Sequence, residues 1–254
     1  MWKIVTHKNI DIERAIAIVG FPGMGLVGKT VAMYLINIFD AHHILSIYGT
    51  KFPAHLLVNS DGLADIDKVS IYYAKNNSTG ILIITSDAQP TSDPDQHELS
   101  RFIVKKLLRY NVIELIATAA FVSDVVVTSR RVFVVGNNNT ILQKYIEKGA
   151  TPLNESVISG MNGVIIGWAK AYNMNGVCVL GETWRSIVEM NYVDYTASKI
   201  IIDLLNRVWE LNIDTEELRI RGKNIENEIE TILRQYVQKE TSKEEREKRP
   251  YYIT

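Results

Sequence analysis

The chain has a single cysteine, Cys178, among 254 residues. No disulfide can form within it, which excludes a small secreted domain held by cross-links. It also lacks charge of one sign. Lys and Arg number 28 against 29 Asp and Glu, a net charge of −1, which gives no basic footprint for nucleic acid or an anionic membrane. No apolar run approaches the ~20 residues that cross a bilayer. The opening Met1–His7 lacks the charged-then-apolar order of a signal peptide, so a soluble, cytoplasmic protein is expected. Metal and nucleophile motifs are missing as well: there is no HExxH, no CxxC and no G-x-S-x-G elbow. Cys178 sits inside an apolar run and reads as an inert small hydrophobe. No metal, no cofactor and no catalytic set are expected.

What the chain does have is a globular composition, 46% hydrophobic and 22% charged, enough to bury a core and to exclude disorder for most of its length. Short β-branched runs bounded by Gly, Asn, Asp and Pro predict strands at Ala15–Val19, Ile44–Tyr48, Leu56–Val58, Val69–Tyr73, Ile81–Thr85, Leu115–Ala119, Val132–Val135 and Val177–Leu180. Helical periodicity predicts helices over Leu26–Phe39, Asp95–Tyr110, Val164–Tyr172, Val193–Leu211 and Thr215–Gln238. For the second of these, Asp93 is the expected N-cap with Pro94 at the first helical position. Buried strands alternating with helices predict an α/β fold with a mixed, mainly parallel sheet covered on both faces, with C-terminal helices. The strands between 44 and 85, with no long helix among them, predict an antiparallel portion.

The last predicted helix carries Ile225, Ile229, Ile232 and Tyr236 at 4-3-4 spacing, a narrow seam. It can lie on its own domain or pack against another subunit. Residues 239–249 are charged with mixed signs and no apolar stripe, a solvated helix end or flexible arm. The chain closes with Tyr251, Tyr252, Ile253 and Thr254, an apolar tip badly placed for the core. No internal repeat or dividing linker is present, so residues 1–238 read as one domain and 239–254 as a tail.

The most conspicuous segment is Gly20–Thr30, between a buried strand and a helix. Gly23 to Thr30 fits the phosphate-loop pattern G-x-x-x-x-G-K-[ST], in which Lys29 would neutralise phosphate and Thr30 would bind Mg²⁺. Gly23, Gly25 and Gly28 also fit G-x-G-x-x-G, the dinucleotide fingerprint, but the next strand lacks the acidic residue that holds the ribose. A strand-to-helix turn that needs glycine for close backbone packing accounts for the same residues. Lys29, Asp87 and Glu182 can meet at the C-terminal edge of the sheet, where open α/β folds bind ligands. Glu182 and Thr183, leaving a strand end, are candidates for a small-ligand pocket, or a carboxylate that caps a helix.

Three separated motifs resemble the PAC2 family, the proteasome assembly chaperone group and its archaeal relatives. They are Gly20-Phe21-Pro22-Gly23-Met24-Gly25-Leu26-Val27-Gly28 with the following Ala32-x-Tyr34-Leu35, then Gly160-Met161-Asn162-Gly163-Val164-Ile165-Ile166-Gly167, then Gly181-Glu182-Thr183. The likeness spans residues 10 to 235. It implies an α/β/α sandwich of the phosphorylase or hydrolase kind and a non-enzymatic homo-oligomer that binds proteasome α-subunits. In that family Lys29-Thr30 is not part of the signature, so the phosphate-loop match is coincidental. The alternative from a different class remains a nucleotide-binding enzyme using Gly23–Thr30. Several chaperone members of the family end in a hydrophobic-Tyr-any tripeptide that enters pockets between ring subunits. Here the end is Tyr252-Ile253-Thr254, with the tyrosine displaced by one.

Overall fold

The computed structural model describes residues 2–76, 79–124, 126 and 129–247, without the side chains of 236–247. Its elements in chain order are β1 (Trp2–Thr6), β2 (Ala15–Val19), α1 (Val27–Ile38), β3 (His42–Gly49), β4 (Leu57–Val58), β5 (Ala64–Asp65), β6 (Lys68–Asn76), β7 (Thr79–Ser86), α2 (Asp93–Leu107), β8 (Val112–Ser123), β9 (Val132–Gly136), α3 (Asn139–Ile146), β10 (Thr151–Pro152), α4 (Met161–Ala171), β11 (Gly176–Trp184), α5 (Arg185–Glu189), α6 (Tyr195–Trp209) and α7 (Glu216–Glu247).

The main sheet has the order β1-β3-β6-β7-β2-β8-β11-β9-β10. Its centre is parallel, β7, β2, β8 and β11 running together. The flank β1-β3-β6-β7 is antiparallel, which places the helix-poor stretch 44–85 where the sequence puts it. All five side chains of β2 are buried, as a strand covered on both faces requires. Successive residues of a strand face opposite sides, and two cores follow. Ala17, Leu82, Leu115, Cys178 and Leu180 meet α2 and α4 through Leu99, Ile103, Met161 and Ile165. Ile16, Ile18, Ile83, Val177 and Val179 meet α1, α3 and α6 through Val31, Leu35, Tyr145, Ile201 and Leu205. The result is the three-layer α/β/α sandwich with a mixed sheet.

Several boundaries differ from the sequence-based expectation. The N-cap of α2 is Ser92, not Asp93; its hydroxyl accepts the Asp95 N–H at 3.3 Å, and Pro94 is the second helical residue. Both positions satisfy the rule that a proline near the N-terminus gives up no helical hydrogen bond. α3, α5 and β1 are further elements that apolar periodicity does not reveal. α7 continues as helix to Glu247, so the charged stretch extends it. Its first half lies on the domain. Leu218 joins the core of the α1/α6 face, and Ile225 and Ile229 pack on Trp184 and Ile187. Ile229 is fully buried. The first two members of the predicted seam are therefore occupied within the subunit, and Ile232 is half-buried. The side chain of Tyr236 and all of Tyr251, Tyr252, Ile253 and Thr254 lie outside the described residues.

Candidate functional site

The glycine loop leaves the C-terminal end of β2 and is sewn down from several sides. Asn162, near the start of α4, takes both backbone polar groups of Phe21. Its Oδ1 accepts the Phe21 N–H at 3.0 Å and its Nδ2 donates to the Phe21 carbonyl at 3.1 Å. Gln89 donates to the Pro22 carbonyl and accepts the Met161 N–H at 2.8 Å. The Gly20 N–H goes to the Ile84 carbonyl and that of Leu26 to the Gly23 carbonyl, both at 2.9 Å. Within the phosphate-loop pattern, the Leu26 N–H is thus committed to a protein acceptor.

The glycines are explained by packing. A Cβ on Gly20 would lie 2.0 Å from the Gly28 carbonyl oxygen, and one on Gly28 would lie 2.3 Å from that of Thr118. Backbone thus stacks on backbone where β2, α1 and β8 converge. Gly25 adopts φ +57°, a left-handed conformation that glycine reaches without strain. Its carbonyl accepts the Asp194 N–H.

Lys29 reaches Asp87 at 2.7 Å, so two of the three charged residues expected at this edge do meet. Glu182 is not with them. It lies on the face of β11 shared by Cys178 and Leu180, opposite α1, and is fully buried against Arg131. Its Oε2 accepts the Arg131 backbone N–H at 2.9 Å, and Oε1 receives the guanidinium at 3.1 Å. Burial pushes the Glu182 carboxyl up, but the hydrogen bonds and charge of Arg131 outweigh it and hold the group below its ordinary 4.5. Thr183, one residue on, faces the other side and donates to Asp194. The helix-capping carboxylate is therefore Asp194, whose Oδ1 accepts the Ala197 N–H at 2.8 Å at the start of α6.

Asp194 is also the hinge of a buried ion network that the sequence did not reveal. Arg130, 2% exposed, donates to Asp194 and to Glu226 of α7, the latter at 2.6 Å. Its guanidinium lies 4.3 Å from the centre of the Trp184 ring. The network ties the glycine loop, α6 and α7 together. No local sequence pattern announces it, because its members lie at 130, 183, 194 and 226.

Between the loop and α5 opens a cavity of about 600 Å³, bordered by Gly23, Gly28, Gln89, Phe121, Ile158 and Val188. It lies at the C-terminal edge of the parallel strands, where such sheets bind ligands. Among the described residues no group of three His, Cys, Asp or Glu side chains can hold a metal ion. Its walls combine apolar side chains with Gln89, Asn162, Arg185 and Glu189. No helix of the described residues is long and apolar enough to cross a membrane.

Similar proteins share this framework. MJ1210 of Methanocaldococcus jannaschii is 26% identical over 236 residues, covering 91% of this chain and 89% of its own. PbaB of Pyrococcus furiosus, described as an archaeal proteasome activator, superposes with a TM-score of 0.83 at 24% identity, over 91% of this chain and 98% of that one. PbaA of the same organism, described as an archaeal homolog of proteasome-assembly chaperone, gives a TM-score of 0.74 at 22% identity, over 96% and 97%. With the glycine loop, the Gly160–Gly163 turn and the Gly181–Thr183 strand end each placed at one edge of the sheet, the PAC2 family model matches residues 17–233, and the chain belongs to the PAC2 family.

Proposed function

We propose that this protein is a non-enzymatic, oligomeric member of the proteasome assembly chaperone kind, which engages proteasome α-subunits through its surface and its C-terminal segment. The observation that carries the reading is the geometry of α7. Its last fully buried side chain among the described residues is Ile229, and its backbone stays helical to Glu247, a further 27 Å or so at 1.5 Å per residue. A helix packed on the domain through Ile229, with Thr231, Leu233, Arg234 and Gln235 exposed beyond it, suits a tether. In this reading the sequence Tyr251–Thr254, which lies outside the described residues, is the segment that meets the partner. The fold likeness to PbaB and PbaA supports the choice of partner. The glycine loop fits this reading, since Gly20 and Gly28 are held by close backbone packing.

The test is size-exclusion chromatography with light scattering, on the full chain alone and mixed with purified proteasome α-subunits. The expected result is a defined homo-oligomer that shifts to a larger complex, and loss of that shift when residues 250–254 are deleted. A monomer that leaves the α-subunits unshifted would overturn the reading.

A further inference from the structure

On the sheet face opposite α1, α6 and α7, the helices α2 and α4 lie side by side. Their outer sides meet at Trp168 of α4, whose indole N–H donates to His97 Nδ1 at 3.3 Å. The Arg101 guanidinium sits 5.8 Å from the centre of the indole ring. Tyr172, one turn along α4, has its ring 6.4 Å from that of Trp168. Both rings stay half-buried. His97, Arg101 and Lys105 are spaced four apart, so they form one stripe of α2, and all three are exposed. Leu108, 44% exposed, follows at the end of the stripe.

Arg101, Lys105, Lys106 and Arg109 make no ion pair among the described residues. The acids of α2 do not answer them. Asp95 pairs with Lys51 at 2.9 Å, and Glu98 takes the Trp2 indole N–H at 2.8 Å. Burial pushes the Lys106 ammonium down, and the charge of Arg109 adds to the effect. A helix dipole favours cations in the last turn, which accounts for Lys105 and Lys106. It leaves unexplained why Arg101 lies beside an indole and why Leu108 is left in water.

We infer that the α2–α4 face docks an extended acidic segment of a partner protein, with an apolar or aromatic side chain between its carboxylates. The carboxylates would meet Arg101 and Lys105, the former through paired donors. The apolar side chain would lie on Trp168 and Leu108. Trp, Tyr and Arg on one patch are the residue types that carry most binding energy at protein interfaces. The fifteen residues of α2 span about 22 Å, the length of about six extended residues. A nucleic acid fits less well, because a net charge of −1 gives the chain no long-range positive field. The face lies on the other side of the sheet from α7, so the inference stands apart from the tether.

The test uses the full chain and the acetylated, amidated peptide Glu-Glu-Leu-Phe-Glu-Glu as the probe. Binding is read by NMR at the indole N–H of Trp168, which Trp168→Phe assigns. Saturable shifts are expected, and they should weaken when salt rises from about 0.1 M to 1 M. The same peptide with Gln for every Glu should bind at least about tenfold more weakly, the loss that accompanies missing charged hydrogen bonds. Arg101→Ala combined with Lys105→Ala should cost a similar factor. Lys223→Ala, which removes an exposed cation of α7, should leave binding unchanged. All three substituted side chains are exposed, and circular dichroism checks that each variant is folded. No saturable shift with the Glu peptide, equal binding of the Gln peptide, full affinity in the double variant, or an equal loss in Lys223→Ala would each overturn the inference. Tighter binding of a short oligothymidylate than of the peptide would overturn it too.

Discussion

The backbone N–H of Asp194 donates to the carbonyl of Gly25 at 2.9 Å. This one hydrogen bond joins the N-cap of α6 to the apex of the glycine loop. Because the Asp194 side chain also holds Arg130 and Thr183, the residue is a junction between the sheet edge and the two C-terminal helices. Replacing it with alanine leaves the buried Arg130 guanidinium short of a partner. Asp194→Ala should lose about 3–5 kcal/mol of stability, the range for removing one partner of a buried pair, measured by urea unfolding.

Gly28 and Lys29 are neighbours with opposite expectations. Gly28→Ala places a methyl group against the Thr118 carbonyl and should cost at least about 1–3 kcal/mol through overpacking. Lys29→Ala removes a partly exposed ion pair and should change stability by less than about 1 kcal/mol. If the loop were a phosphate site, Lys29 would be the residue that mattered. Thermal unfolding of both variants, with and without Mg·ATP, separates the two; no stabilisation by nucleotide is expected.

The continuous apolar run of β2 and the periods of α1, α2 and α6 were legible because each element buries its own apolar residues on a whole strand or stripe. The core Ala15–Val19 follows directly from its composition. α3 was not legible. It has eight residues, begins after Asn137 and Asn138, and buries only Ile141 and Tyr145. Its start signal was present, since the Asn138 side chain accepts the Ile141 N–H at 2.9 Å. At the candidate site, the C-terminal edge of the sheet was expected to gather Lys29, Asp87 and Glu182, and Lys29 pairs with Asp87 there. Spacing could not say that Glu182 would face away, because the side of a strand depends on register, and a shift of one residue reverses it.

Glu182 gives a pH prediction. Its folded-state value is depressed, so its contribution is present above the unfolded value and is lost as pH falls through the folded one. Below an ordinary carboxyl value of 4.5 the urea midpoint of the wild-type protein should fall with pH. The Glu182→Gln protein should show a shallower decline over the same window.

Burial pushes the Cys178 thiol up to about 12. Since the thiolate is the reactive form, the native protein should not react with a thiol reagent at neutral pH on the timescale of minutes. One equivalent should react in denaturant. Prompt labelling of the folded chain would show that the β11 strand opens readily.

α7 can be cut in two places with different results. Ending the chain after Gln235 removes no described buried side chain and should leave the melting temperature unchanged. Ending it after Lys223 uncovers Trp184 and Ile187 and removes Ile229 and Glu226, and should lower stability by at least the roughly 2–5 kcal/mol expected for losing one large core side chain. Differential scanning calorimetry compares them directly.

The two borders of the sheet are unequal, and this limits how copies could join strand to strand. One border ends in β10, two residues long, and its second residue is Pro152, which has no N–H to offer another strand. The other ends in β1, five residues paired on one side to β3. A sheet with one usable border can add a copy only head to head. That contact brings β1 against β1 about a twofold axis and consumes the free border of both. Growth stops at a pair, so the fold cannot elongate into a fibre through its main sheet.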